Sequence, residues 1–189
     1  MTDLRAFVLA HHPKYGYLLL KAVKKKKGIH CQVPGGHVDA EELDGEEIDK
    51  ACRTAAAREL FEETGIDVRG DIDRLVQVSW GPNHSVELKG RRLFHLQLED
   101  SDSCTDPGAE YPSTGEPFKL RLSSEHQEFK FQEDMLQAAL DLQQHSGGKV
   151  SMILRQVSAD VERLGHASLE TSATFAVEKN CELGCCLCQ

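Results

Sequence analysis

From Glu46 to Thr64 the chain runs nineteen residues without proline or glycine, and Ala, Glu, Leu, Arg and Lys dominate. Such a run specifies a helix. Gly65 follows where a left-handed C-terminal cap is wanted. On a helix of about 3.6 residues per turn, Ile48, Cys52, Ala55 and Ala56 make one apolar stripe. Three- and four-residue steps carry that stripe on to Glu59, then Glu62 and Glu63. The inward face therefore changes from apolar to acidic in its last two turns.

That placement is costly. Carboxylates near a helix C-terminus oppose the macrodipole. They repel one another at three- and four-residue spacing, and partial burial strips their hydration. A solvated acidic face is the usual reading of a charge run, but here the acids share the phase of the apolar stripe. A cation among the oxygens relieves all three penalties, and hard oxygen donors select Mg²⁺ or Mn²⁺. Arg58, beside the acids, suits a partner that orients the carboxylates.

Arg58 to Ile66 reads R-E-U-x-E-E-x-G-U, with U a bulky apolar residue, and every fixed or typed position is filled. Pro34-Gly35-Gly36 lies upstream. These residues resemble the Nudix box, the signature of hydrolases acting on nucleoside diphosphates linked to another moiety. The family pattern begins G-x5-E-x7-R-E. Gly36 and Glu42 fit its first half, but fifteen residues separate Glu42 from Arg58, eight more than the pattern has. The outer glutamate is therefore Glu42, Glu46 or Glu47. The resemblance implies an α/β/α sandwich, a mixed sheet between helices. It implies Mg²⁺ (or Mn²⁺) held by Glu59, Glu63 and the Gly36 carbonyl with Glu62 close by, and a substrate-facing backbone at Gly35.

The flanking chain reads as strands and turns. Leu4–Ala10 and Tyr17–Val23 form a hairpin around His11–Gly16, with His11 and His12 on a solvated turn. Lys24 to Lys27 are consecutive; Lys25, Lys26 and Lys27 form a basic lip for a polyphosphate or a charged tip that keeps an edge soluble. Ile29–Val33 is a short strand before the glycines. Ile66–Val68, Leu75–Trp80, Val86–Leu88 and Arg91–Leu98 extend the sheet. Trp80 fits core packing better than base stacking. Glu99–Pro117 is a long polar loop, a lid or an insertion.

Phe118–Leu122 alternates like a strand, and Leu122-Ser-Ser-Glu125-His126 leads into a further strand. This segment is similar to a Leu-Ser-x-Glu-His segment of asymmetric diadenosine tetraphosphate hydrolases. The resemblance makes Glu125 an additional ligand or general base and puts His126 near the substrate. Glu62 is the other candidate base. Gln132–Gln144 is an amphipathic helix, and Val150–Leu164 continues as a short one. One domain over 1–164 follows, with the box at 36–66, and a flexible cysteine-rich tail at 165–189.

The formal net charge of −9 argues against a stable nucleic-acid complex while leaving a nucleotide or dinucleotide substrate open. No segment reads as a signal peptide or bilayer span, and seven unevenly spaced cysteines fit a reducing, cytoplasmic setting. Cys186-Leu187-Cys188-Gln189 matches a prenylation box, so a lipid anchor through Cys186, with membrane association, stands against free thiols. The expected activity is metal-dependent hydrolysis of a pyrophosphate bond, with a dinucleoside polyphosphate or nucleotide favoured. Its rivals are a non-catalytic nucleotide-binding module and an isomerase on the same fold; Cys31 and Cys52 lack the acid neighbour an isomerase needs.

Overall fold

The computed structural model describes residues 4–24, 28–78, 90–104, 118–134, 137, 138 and 141. Among these residues, seven strands form one mixed sheet: β1 (Arg5–His12), β2 (Gly16–Lys24), β3 (Gly28–Gln32), β4 (Gly35–His37), β5 (Val76–Gln77), β6 (Arg91–Gln97) and β7 (His126–Gln132). β1 and β6 run parallel over seven residue pairs, from Arg5 opposite Arg91 to His11 opposite Gln97. The other pairings are antiparallel: β2 with β1, β3 and β7, β4 with β1, and β5 with β6.

Alternation along β1 divides the core. Ala6, Val8 and Ala10 face the main cluster with Leu18, Leu20, Phe94 and Leu96, where α2 (Ile48–Thr64) covers the sheet. Leu9, Leu19, Leu93 and Cys31 form a second cluster on the other face with Ala138, whose backbone is helical. Helical chain thus packs on both faces of a mixed sheet, an α/β/α sandwich. No helix among the described residues is long and apolar enough to cross a membrane.

α2 ends as its sequence dictates. Gly65 takes φ 77° and its N–H returns to the Phe61 carbonyl, a cap that glycine adopts without side-chain strain. Its buried face is Ala51, Cys52, Ala55, Ala56, Ala57, Leu60, Glu63 and Thr64. Ile48, expected on that face, is 55% exposed. The helix outruns the sheet at its start: residues 43–50 are all exposed, so in-phase side chains there have nothing to pack against. A short helix, α1 (Ala40–Leu43), precedes them.

Several expected elements differ. His11 and His12 belong to β1, and His12 is buried. Its Nδ1 accepts the Lys14 N–H, leaving Nε2 to donate to Asp100 Oδ1 at 3.1 Å, while its ring stacks on Tyr15 at 4.5 Å. Ile66 and Val68 are buried without joining a strand; the Ile66 N–H goes to Thr64 Oγ1, a local bond that competes with a ladder. Phe118 and Leu120 are buried and Lys119 exposed, as the alternation requires, but the segment pairs off the sheet. The Lys119 N–H reaches Ser103 Oγ, and the Arg121 and Ser123 N–H groups reach the carbonyls of Thr64 and Glu63. Gly35 and Gly36 form strand β4 opposite Phe7 and Ala6. Trp80, Val86–Leu88, most of the loop at 105–117, the 150–164 helix and the tail lie outside the described residues.

Candidate active site

The last two turns of α2 and strand β4 meet face to face. A Cβ built on Gly36 would collide with the Glu59 carboxylate, so only glycine lets the backbone approach that acid. The Gly35 N–H donates to Glu63 Oε2 at 3.0 Å. Together these contacts bring the two glycines against two of the three box acids. The three acids differ in exposure: the side chains of Glu63, Glu59 and Glu62 are 12%, 17% and 54% exposed. Phase alone had put all three inward.

Arg58 gathers the remaining acids. Its Nε donates to Glu42 Oε1 at 3.0 Å and its Nη2 to Glu42 Oε2 at 3.3 Å, a two-pronged pair. Nη1 reaches Glu59 Oε1 at 3.1 Å and Glu62 Oε2 at 3.3 Å, and Nη2 also reaches the His37 carbonyl at 3.0 Å and Asp39 Oδ2 at 3.2 Å. The fixed fork of a guanidinium suits this work; a lysine could not reproduce it. The Glu42 hydrogen bond is the main cause that raises the Arg58 pKa further above its ordinary value. Among Glu42, Glu46 and Glu47, Glu42 is the one that meets Arg58, and its Oε2 also accepts the Asp39 N–H. Glu46 instead pairs with Lys50 on exposed surface. The eight additional residues thus protrude as the exposed 43–50 stretch and leave the Glu42–Arg58 pairing intact.

Charge is out of balance here. Among the described residues, Asp39, Glu42, Glu59 and Glu62 all pair with the Arg58 guanidinium, three carboxylates more than that one cation balances. Burial pushes the Glu59 carboxyl above its ordinary range, while Arg58 pulls it down and Glu62 and Asp39 push it up. Excess carboxylate oxygens in a partly buried cluster, pressed on a glycine backbone, fit a hard divalent cation. Among the described residues no group of three or more His, Cys, Asp or Glu side chains is already gathered at metal-binding geometry. The fit therefore rests on donor chemistry and on the Gly36–Glu59 approach.

His126 starts β7, on the far side of β2 from β3. Its side chain is fully buried, with Nε2 3.6 Å from Glu63 Oε1. Gln32 at the end of β3 bridges the two: its Nε2 is 2.8 Å from His126 Nε2 and 3.4 Å from Glu63 Oε1. Ser123 Oγ is 2.9 Å from His126 Nδ1. The imidazole thus faces the acid cluster from within the fold rather than from its surface. Glu125 sits on the exposed turn just before β7, two residues after Ser123. Gln32, Ser123 and Asp39 were not singled out by sequence. Gln32 is a polar residue between the buried Cys31 and Val33, which is a weak sign that it has a buried partner. Lys25, Lys26, Lys27 and Cys186 lie outside the described residues.

A family model for the NUDIX domain matches residues 1–116, more than half of the 189. The chain belongs to the Nudix family. It is a hydrolase of the pyrophosphohydrolase kind. Solved structures similar to this Nudix protein include a NUDIX hydrolase from Nitrosomonas europaea, 18% identical over 85% of this chain and 90% of that one, TM-score 0.46. The MutT protein from Methanosarcina mazei Go1 is 19% identical over 84% and 94%, TM-score 0.44. The C. elegans Ap4A hydrolase is 21% identical over 85% and 99%, TM-score 0.42. No curated protein matches.

Proposed function

We propose that this Nudix hydrolase cleaves a pyrophosphate bond in a nucleoside diphosphate linked to another moiety, with Mg²⁺ or Mn²⁺ as cofactor. The observation that carries the reading is the convergence of four carboxylates on Arg58 while Gly36 is pressed against Glu59. Glu59, Glu63 and the Gly36 carbonyl hold the cation, with Glu62 beside them. The cation, when bound, supplies Lewis acidity toward the phosphoryl oxygen and the attacking water.

The chain's own residues do the rest. Arg58 keeps the Glu59 and Glu62 carboxylates oriented. Gly35 and Gly36 leave room at the backbone for a phosphate chain. Lys25, Lys26 and Lys27 draw the polyphosphate in. The base that takes the proton from water is Glu62 or Glu125; both are exposed and can exchange a proton with solvent. Dinucleoside polyphosphates and related nucleotides are the favoured substrates, on the likeness of the Leu122–His126 segment to diadenosine tetraphosphate hydrolases. That likeness is supported by sequence alone.

The test is release of phosphate or nucleoside monophosphate from a panel of nucleoside di- and triphosphates and dinucleoside polyphosphates with Mg²⁺. Turnover of at least one class, abolished by chelation, is expected. Tight nucleotide binding with no turnover on any member would leave a binding module in its place. Glu62→Gln and Glu125→Gln then separate the two bases: the true one loses the acidic limb of its pH–rate profile.

A further inference from the structure

Glu63 is the most buried of the three box acids, and both of its oxygens are engaged before any cation arrives. Oε2 takes the Gly35 N–H, and Oε1 faces the Gln32 amide. A Gln32 carbonyl oxygen turned toward a carboxylate would be repelled, so the amide NH₂ faces Glu63. The same NH₂ then donates to His126 Nε2, which fixes Nε2 as the acceptor and Nδ1–H as the donor to Ser123 Oγ. The Ser123 N–H returns to the Glu63 backbone carbonyl at 3.2 Å. The chain of bonds thus leaves the Glu63 side chain and closes on its main chain.

Its parts come from separate elements. Gln32 ends β3 opposite Leu20 of β2, and His126 begins β7 opposite Ala22 of the same strand. The two side chains meet across β2. We propose that Gln32, His126 and Ser123 are positioning residues for Glu63, fixing the direction of the carboxylate that the cation needs, and that none of them contacts substrate. This rests on the reading of Glu63 as a cation ligand. Partners that orient a ligating carboxylate contribute to affinity without touching the ion. A carboxylate held in advance loses less freedom when the cation binds. The complete burial of the His126 side chain agrees with such a role and leaves it no face for a substrate.

The experiment pairs Mn²⁺ affinity, read by electron paramagnetic resonance on the full chain, with kcat and KM on whichever nucleotide class is turned over. The variants are Gln32→Leu, Ser123→Ala, Ser123→Thr, His126→Gln and Glu63→Gln, each checked for a cooperative thermal transition. Gln32→Leu and Ser123→Ala are expected to weaken Mn²⁺ binding and lower kcat about 10- to 100-fold, with KM little changed. Ser123→Thr, which keeps the hydroxyl, is expected to restore most of both. If Glu63→Gln loses Mn²⁺ binding while Gln32→Leu and Ser123→Ala keep it, the positioning role is wrong and the ligand reading stands. If Glu63→Gln itself keeps Mn²⁺ binding, the ligand reading falls and the positioning role with it. A rise in KM alone in His126→Gln would make His126 a substrate contact and overturn the proposal. Should Gln32→Leu not fold, Gln32→Met, closer in shape, replaces it.

Discussion

A methyl group on Gly36 would overlap the Glu59 carboxylate, whereas one on Gly35 would overlap the Ala6 carbonyl and the Phe7 backbone. The obstacles differ in kind. Glu59 can swing its flexible end aside, so Gly36→Ala is expected to cost only about 1 kcal/mol of stability. It moves the acid off the glycine backbone, so activity should fall by 10-fold or more on the scale of about 10–100 for a disturbed metal site. Gly35 has φ 144° and meets rigid backbone. Gly35→Ala should therefore lose about 3 kcal/mol from strain and overlap together. Denaturant midpoints and initial rates on the two variants check this. Equal stability losses would mean that the Glu59 contact is not the constraint at Gly36. The sequence carried the box acids, but it could not rank them. Glu63, Glu59 and Glu62 share one phase, and their exposure is decided by what lies opposite. Glu63 meets Gln32 and His126, which sit thirty-one residues before it and sixty-three after it.

Elements with strong local signals were legible. α2, β1, β2 and β6 each carry a helix period or an apolar run that no neighbour contradicts. The segments that misled are those whose backbone bonds go elsewhere. Ile66–Val68 and Phe118–Leu122 have the composition or alternation of strands, but the N–H of Ile66 is taken by Thr64 Oγ1 and those of Lys119 and Arg121 by Ser103 Oγ and the end of α2. Side-chain pattern reports which residues are buried; it does not report which carbonyl a given N–H will find. β6 carries a titratable consequence. His95 faces His11 of the neighbouring β1 across 6.2 Å, and burial, helped by His11, lowers its pKa to about 4. The folded value lies below the unfolded one of about 6.5. Above pH 6.5 neither state holds the proton and the full contribution is present. As pH falls from 6.5 toward 4 the unfolded chain takes the proton first, so stability is lost across that window. His95→Gln should flatten that loss by about 1–3 kcal/mol, measured by urea unfolding at pH 7 and pH 4.5. Parallel slopes in the two proteins would contradict it.

Across the whole molecule, the site is assembled from chain segments that only the sheet brings together. β4 reaches α2 because it pairs with β1, and His126 reaches Glu63 because β7 pairs with β2. The eight additional residues before Arg58 do not disturb this, since 43–50 project from the body and Glu42 still closes on Arg58. A chain with net charge −9 that also gathers four carboxylates on one arginine calls for cations when it takes a polyphosphate. The most direct test is the initial rate of pyrophosphate cleavage as Mg²⁺ is titrated into wild-type protein and into Glu63→Gln. The wild-type rate should rise from near zero to saturation, and Glu63→Gln should lie at least about 100-fold below it at every concentration. A Glu63→Gln curve that overlays the wild type, or a wild-type rate that ignores Mg²⁺, would contradict the account.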